Sequence, residues 1–239
     1  MMDILSVALS GLNASRNRAL VAANNLANLN TPGYRAQEAD TFTGSGGSEA
    51  VTGGVSSLDT MGPLIPTDNP LDLAIGGAGF FPITNGNGNA AYTRDGAFTV
   101  GANGTLVNSQ GLELQPPITV PAGATNVSVG NDGTVSAQLP NGGAANLGQI
   151  QLATFSNPSG LNRDGGNLLT PSGSSGIAQP RAPGTGGRGF IQSGFLEGSN
   201  VDIAQQAINL GLEENVTKAN VAVAKTADEM MKTILDIKA

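Results

Sequence analysis

The chain has 239 residues, enough for one ordinary domain or two small ones, and its 35 glycines and 13 prolines favour many turns over many helices. It contains no cysteine and no histidine, which excludes disulfides, the usual zinc sites, and catalysis by a thiol or an imidazole. Its formal net charge of -7 argues against binding to nucleic acids or to anionic membranes.

The first predicted element is a helix over residues 3–28. Its apolar positions step by four and three residues, the spacing of a coiled-coil seam, with one charged interruption at Arg16. We expect the helix to stop near Asn28, because Pro32 and Gly33 follow it. The predicted seam consists of Leu5, Leu9, Leu12, Ala19, Ala23 and Leu26.

The N-terminal residues carry no basic segment, and Ser6, Ser10 and Gly11 interrupt their apolar positions. We therefore expect no cleaved secretory signal here. The chain also has no apolar run of about 18 residues, the length that a membrane-spanning helix needs. If the protein leaves the cytoplasm, we expect an export route that needs neither feature.

Three asparagines, Asn24, Asn25 and Asn28, lie near the end of this helix against their low helix propensity. In one interpretation they mark a fraying helix end that leads into a turn. In the other, their amides form hydrogen bonds with neighbouring backbones in a packed assembly, where buried polar groups need partners. The pattern does not decide between the two.

The middle of the chain, residues 71–198, is predicted to be an antiparallel β-domain of sandwich or barrel type. Short strand-like runs alternate with Asn-Gly and Asp-Gly dipeptides, which are strong hairpin signals. Two segments rich in Gly, Ser and Pro, 43–66 and 170–189, are predicted to be linkers or mobile loops. The predicted strands lie at 79–83, 91–93, 97–100, 118–120, 149–155 and 190–192.

The β-region offers no convincing catalytic or cofactor-binding motif. Residues 184–189 match G-x-G-x-x-G, but a strand-like run follows them where a dinucleotide site needs a helix. The carboxylates of Asp95 and Asp132 occur in turns. Those of Asp228, Glu229 and Asp236 in the predicted second helix are typical of a solvated helix face. We therefore predict no catalytic residue, no cofactor and no metal, and we do not expect an enzyme.

The last predicted element is a second helix, from about residue 202 to 238. Ser199 or Asn200 is its expected N-cap, and Gly211 is a weak point inside it. Its apolar positions again step by three and four residues. The predicted seam consists of Leu212, Val216, Ala219, Val223, Ala227, Met230, Ile234 and Ile237.

These elements predict an α+β fold, in which paired, coiled-coil-like N- and C-terminal helices accompany a central antiparallel β-domain. We expect residues 1–35 and 200–239 to form one helical assembly domain, 36–66 a linker, and 67–199 a β-rich outer domain. Two uses of the helical seams remain open. The helices close one domain as an intramolecular antiparallel pair, or they pack against other copies of the chain.

The run AANNLANLNTPGYR at 22–35 closely resembles the N-terminal signature of the flagellar rod and hook protein family. Similar blocks of this family occur as NPLDLAI and GFF within 69–81 and as YTRDGAF and NGTLV within 92–107. The block GFLEGSNV at 194–201 resembles the lead into the family's C-terminal helix. Residues 111–121 are most similar to the distal-rod members, with a proximal rod or small hook-type subunit as alternatives.

The resemblance implies a structural subunit that polymerises into the rod, the drive shaft that transmits torque from motor to hook. It implies export by the flagellar type III apparatus and a place in the basal body, spanning the periplasm. The implied partners are copies of itself, other rod proteins, the hook protein, the bushing rings around the rod and the export apparatus, with no nucleic acid and no small-molecule substrate. We also expect both helices to become ordered only on assembly.

The resemblance and the two seams together predict an assembly interface near the chain termini. A secreted β-rich binding module is the alternative from another class, and it requires no contact between copies. The residues predicted to form the assembly interface are Leu5, Leu9, Leu12, Leu26, Asn24, Asn25, Asn28, Tyr34, Leu212, Val216, Val223, Met230, Ile234 and Ile237.

Overall fold

The structure is a computed structural model that describes residues 2–43 and 50–237, and it divides into two compact units. Unit 1 contains the residues up to Leu29, the segment Ala36–Leu58 and the residues from Val201 onward. Unit 2 contains Asn30–Arg35 and Asp59–Asn200. The predicted α+β class is confirmed, with a helix near each end of the chain and antiparallel strands between them.

Unit 1 consists of two helices and a hairpin. Helix α1 spans Met2–Ala27 and helix α2 spans Ile203–Ile237. The two helices pair in an antiparallel direction, since Ser15 contacts Thr217 and the later residue Asn25 contacts the earlier residue Gln206. Both helices are formed and paired within this single chain. The expectation that they become ordered only on assembly stays a prediction.

The start of α2 differs from the sequence prediction. Asp202 caps this helix, because its carboxylate accepts a hydrogen bond of 3.1 Å from the backbone N–H of Gln205. The predicted caps Ser199 and Asn200 precede this position. Asn200 instead donates its side-chain amide to the carbonyl of Thr60, at 2.7 Å. An Asp at this position also suits the positive end of the helix dipole.

The predicted linker at 36–66 is largely strand. Strands β1 (Gln37–Thr43) and β2 (Ala50–Ser57) form an antiparallel hairpin in unit 1, with a bulge between Ala39 and Thr41. The glycine content of this segment indicates a flexible linker. Gly53 is instead required by packing, because a Cβ at this position would lie 2.4 Å from the ring of Phe42. Residues 44–49 of the predicted linker lie outside the described residues.

Unit 2 is built from short antiparallel strands. The largest of its sheets has four strands, and a three-stranded meander and several two-stranded pairs complete the unit. The strands are β3 Leu64–Pro66, β4 Leu73–Gly76, β5 Phe81–Thr84, β6 Ala90–Thr93, β7 Thr99–Val100, β8 Leu106–Val107, β9 Thr125–Val129, β10 Thr134–Gln138, β11 Ala144–Gln149, β12 Leu152–Thr154, β13 Asn162–Arg163, β14 Leu169–Thr170, β15 Gln179–Arg181, β16 Phe190–Ser193 and β17 Phe195–Glu197.

The core of unit 2 is aliphatic with a few aromatic contacts. Phe81 and Phe98 meet edge to face, with ring centroids 5.1 Å apart, and both are fully buried. A smaller cluster packs Phe80 and Tyr92 around Phe155. The main cluster also contains Leu73, Ile75, Ile83, Ala91, Leu106, Leu114, Ile118, Val120, Val129, Val135, Ile150, Leu152 and Ile191.

Other predictions for unit 2 were partly wrong. Residues 118–120 do not form a named strand, and only a bridge between Thr119 and Thr105 pairs there. Residues 149–155 are divided between the end of β11 and β12. The predicted mobile loop at 170–189 contains β15, which pairs with β12. Short sequence runs miss these details because the pairing partners are distant in the sequence.

Candidate assembly surface

The contact between α1 and α2 is made by polar and small residues. Arg18 donates two hydrogen bonds to the carboxylate of Glu213, of 2.6 and 2.9 Å. The hydroxyl of Ser15 donates to the backbone carbonyl of Glu213 at 3.0 Å and lies 3.0 Å from the hydroxyl of Thr217. Beside them, a Cβ on Gly11 would come within 2.9 Å of the side-chain amide of Asn220, so the two helices approach closely there.

These contacts set the charge state of the central ion pair. Burial raises the pKa of Glu213. Hydrogen bonds from Arg18 and Ser15 and the charge of Arg18 lower it by a larger amount, so the pKa lies below its ordinary value. The same hydrogen bond from the other side raises the pKa of Arg18. The pair is therefore fully ionised at neutral pH.

Asn25 is buried within the chain. Its amide nitrogen donates to the carbonyl of Gln37 and its amide oxygen accepts from the N–H of Gln37, both at 2.8 Å. A third contact of 3.2 Å reaches Gln206 on α2. The amide thus pairs with the first residue of β1 as another strand would. Asn28 donates to the carbonyl of Asn24 within its own turn, and the Asn24 side chain is exposed.

The predicted seam of α2 lies away from the contact with α1. Leu212 is 56% exposed and Val223 is 46% exposed, and Val216 and Met230 are also exposed. On a helix, residues that are four or seven positions apart lie on the same face, as the seam residues do. Glu213 and Thr217 each follow a seam residue by one position, so their side chains point to a different face. Ala227 is the exception and is fully buried. The side chains of Ile234 and Ile237 lie outside the described residues.

The predicted seam of α1 is also turned partly outward. Leu9 is 49% exposed and Leu26 is exposed, whereas Leu5 and Leu12 are half-buried. The fully buried positions of α1 are small or polar residues, or a single valine. Among the α1 side chains that the structure describes, those less than 9% exposed are Ala8, Ala14, Ser15, Val21, Ala22 and Asn25.

The consequence is an apolar stripe on α2 that has no cover within the described part of the chain. We define the α2 stripe as Ile208, Leu212, Val216, Val223 and Met230, all of them exposed. A continuous apolar face of this length is unusual on a monomer surface and marks an interaction site. Among the described residues, neither helix is apolar and long enough to cross a membrane, and no cluster of acidic side chains could hold a metal ion.

Tyr34, another predicted contact residue, is buried in unit 2. The guanidinium of Arg163 lies 5.2 Å from the centroid of its ring. Burial raises the pKa of Tyr34, and the charge of Arg163 opposes that shift. The neighbouring turn is held by Asn167, whose amide donates to the carbonyl of Pro32 at 2.8 Å. Tyr34 therefore fixes the turn after α1 onto unit 2.

A buried charge cluster next to this turn was missed in the sequence. Glu197 is 1% exposed and lies 2.8 Å from Nη2 of Arg35 and 3.2 Å from Nη1 of Arg94. Burial lowers the pKa of Arg94 to about 10, although the charge of Glu197 opposes the shift. Removing one partner of such a buried pair typically costs about 3–5 kcal/mol.

A signal for this cluster was present in the sequence. Arg35, Arg94 and Glu197 each occur in a different one of the three family-like blocks, beside aromatic and glycine residues. A charged residue in such an apolar block is a candidate buried ion pair. The sequence did not reveal that the three residues meet, because 59 or more positions separate each from the next, and only the fold brings them together.

Comparison with known protein families finds matches to three separate stretches of the chain. Residues 5–35 match the family "Flagella basal body rod protein", residues 74–137 match "Flagellar hook protein FlgE/F/G D1 domain", and residues 192–237 match "Flagellar basal body rod FlgEFG protein C-terminal". These matches include the helices of unit 1 and the first half of the β-region.

Full-length relatives share about a third of their residues with this chain. The flagellar basal-body rod protein FlgG of Buchnera aphidicola is 35% identical, with 98% of this chain and 99% of the relative covered. FlgG of Bacillus subtilis is 33% identical with both chains fully covered. The rod protein FlgF of Caulobacter vibrioides is 33% identical, with 95% of this chain and 93% of the relative covered. The chain belongs to the flagellar basal-body rod protein family.

Proposed function

We propose that this chain is a structural subunit that polymerises into the flagellar rod, through burial of the α2 stripe and the exposed leucines of α1 against neighbouring copies. The observation that carries the proposal is that α2 has a polar face and an apolar face with different surroundings. Polar residues such as Glu213 and Thr217 face α1 within the chain, while Leu212 and Val223 are left to solvent. In a protein that functions as a monomer, we would expect the apolar face of α2 to pack against α1 and the polar face to lie in solvent.

The energetics support an assembly rather than a single weak contact. Burying the exposed half of a Leu, Ile, Val or Met side chain contributes roughly 1 kcal/mol. Five such residues on α2 offer about 5 kcal/mol, which is comparable to the lower estimates for the cost of associating two molecules. The stripe of one copy therefore contributes modestly, and contacts with more than one neighbour would strengthen the association. A helical polymer supplies such repeated contacts, because its heterologous interfaces do not close into a ring.

The packed interfaces between copies would resist shear, and the polymer would therefore transmit torque. The role is structural rather than catalytic. We place the subunit in the distal rod of the basal body, where it crosses the periplasm. Its partners are copies of itself, other rod proteins, the hook protein and the bushing rings, and the flagellar type III apparatus exports it without a cleaved signal. The names of the relatives support the basal-body location.

Two valines of α2 provide a matched test of this interface. Val223 lies on the α2 stripe, and Val221, with a similar exposure of 40%, lies two residues away on the opposite side of the helix. We expect Val223→Glu to abolish polymerisation of the purified protein and Val221→Glu to leave it largely intact. Sedimentation and negative-stain microscopy measure polymer, and circular dichroism confirms that each variant keeps its helices.

Equal effects of the two glutamates would contradict the proposed stripe, since a non-specific effect of charge on the helix would explain both. Polymerisation of the Val223→Glu variant at the wild-type rate would also exclude this face. A wild-type protein that stays monomeric at every concentration would favour the binding module that the sequence left as an alternative.

A further inference from the structure

The chain passes between the two units at four places, after residues 29, 35, 58 and 200. Three short segments of unit 2 therefore adjoin the points where the chain crosses from one unit to the other. They are residues 30–35, the residues that begin at Asp59, and the residues that end at Asn200. All three segments meet at the side chain of Glu197.

Glu197 contacts the first two segments directly. Its carboxylate lies 2.8 Å from Arg35 and accepts a hydrogen bond of 3.2 Å from the backbone N–H of Gly62. Its backbone carbonyl accepts a 2.7 Å hydrogen bond from the N–H of Gly33. Glu197 itself belongs to the third segment, as the last residue of β17.

A second set of contacts joins the same segments nearer the surface. The side-chain amide of Asn200 donates to the carbonyl of Thr60 at 2.7 Å, and its backbone N–H donates to the carbonyl of Tyr34 at 3.4 Å. Arg35 also donates to the carbonyl of Thr60. Each segment is thus bound to both of the others.

The backbones approach so closely that only glycine fits between them. A Cβ on Gly62 would lie 2.0 Å from the carbonyl oxygen of Gly198. Gly33 adopts a φ of +67°, and a Cβ there would lie 2.5 Å from the backbone of Arg94. Neither position tolerates a side chain without displacement of the backbone.

Arg94 joins this arrangement to the interior of unit 2. Its Nη1 lies 3.2 Å from Glu197, and its Nη2 donates to the carbonyl of Gly77 at 2.8 Å. Its guanidinium also stacks over the ring of Phe80, 5.3 Å from the centroid. The anchor is therefore fixed to the core side of the β-domain and is not a loose surface contact.

We propose that Glu197 is a positioning residue that ties the three segments into one anchor, so that every passage of the chain toward the helices starts from a single rigid point of unit 2. A buried carboxylate holds its partners strongly, because a segment that left would strand an unpaired charge in a desolvated site. The mechanical role of the anchor rests on the proposed function. In a rod, load on the helices would be transmitted to the β-domain through this anchor.

Hydrogen exchange on the full-length monomer tests the anchor directly. The reporting amides are those of Gly33, Gly62 and Asn200, one in each segment, and the amide of Leu106 reports on the core. We expect Glu197→Gln, which keeps the size and removes the charge, to raise exchange of all three reporters together by about tenfold or more, with Leu106 unchanged. The matched control Glu213→Gln removes an ion pair of unit 1 and should leave these amides unchanged.

An increase at Gly62 alone, or at none of the three, would overturn the proposal, because Glu197 would then hold only one local contact. If Glu197→Gln also exposes Leu106, the variant Asn200→Ala decides the question, since it leaves the buried charges intact. Loss of protection at Gly33 together with Gly62 in that variant supports a shared anchor, and a change confined to Asn200 refutes it. These readouts come from the monomer, so a failure of polymerisation would not affect them.

Discussion

At the scale of single residues, the molecule depends on glycines and charges that the sequence shows but does not explain. Gly96 illustrates this, because a Cβ at that position would lie 1.6 Å from the carbonyl oxygen of Leu73. The N–H of Leu73 in turn donates to the carbonyl of Gly96 at 2.9 Å, so the two backbones pair at van der Waals contact. In the sequence, Asp95 and Gly96 read only as a turn. The turn is present, with Asp95 accepting a bond from the N–H of Ala97, but the close approach is what requires glycine.

The residue-scale prediction compares two glycines of unit 2. We expect Gly96→Ala to lower the free energy of unfolding by about 3 kcal/mol or more, because the methyl group must displace backbone. Gly86 has nothing within 4 Å of a built Cβ, so Gly86→Ala should change stability by less than about 0.5 kcal/mol. Urea titration followed by tyrosine fluorescence measures both. Similar values for the two variants would show that the strand pair yields easily at Gly96.

At the scale of elements, α2 carries two faces of opposite character, and its ion pair with α1 makes their pairing sensitive to acid. The pKa of Glu213 is depressed below its ordinary value of 4.5 in the folded protein. A depressed carboxylate pKa contributes stability that is present above the unfolded value and is lost as pH falls through the folded value. The helical pair should therefore weaken on the acid side of about pH 4.5.

Thermal unfolding of the helices, followed by circular dichroism, checks this prediction. We expect Glu213→Gln to lower the melting temperature at about pH 7 and to converge with the wild type at about pH 3. Glu214→Gln is the matched control, because Glu214 pairs with Lys218 on the exposed surface and such pairs contribute little. A constant difference between wild type and Glu213→Gln at every pH would show that packing, rather than charge, accounts for the effect of the substitution.

At the scale of the whole molecule, the two units have different sources of stability. Unit 2 has a buried, mainly aliphatic core whose members lie between Leu73 and Ile191 in the sequence. Unit 1 is held by a polar helix pair and a hairpin and leaves large apolar side chains exposed. Unit 1 should therefore lose its structure before unit 2 on dilution or heating. By our proposal, unit 1 is also the unit that gains most stability from assembly.

The prediction at this scale is that removing residues 205–239 leaves unit 2 folded and abolishes polymerisation. The deletion removes nearly all of α2 but no residue of the main core. Urea unfolding of the β-signal and sedimentation of the truncated and full-length proteins under the same conditions measure the two effects. Rods formed by the truncated protein would contradict a role for α2 in assembly.

The sequence by itself determined the class of fold, both helices and their approximate ends, the antiparallel β-region and the resemblance to the rod and hook family. It could do so because heptad spacing, turn dipeptides and short family-like motifs are local properties of the chain. Only the tertiary structure decided which helix face pairs within the chain, since polar groups such as Ser15 and Asn25 found partners far away in sequence. It also converted the predicted linker into a hairpin and brought Arg35, Arg94 and Glu197 together. Long-range pairing of this kind is not encoded in any short stretch of residues, because no short stretch contains both partners.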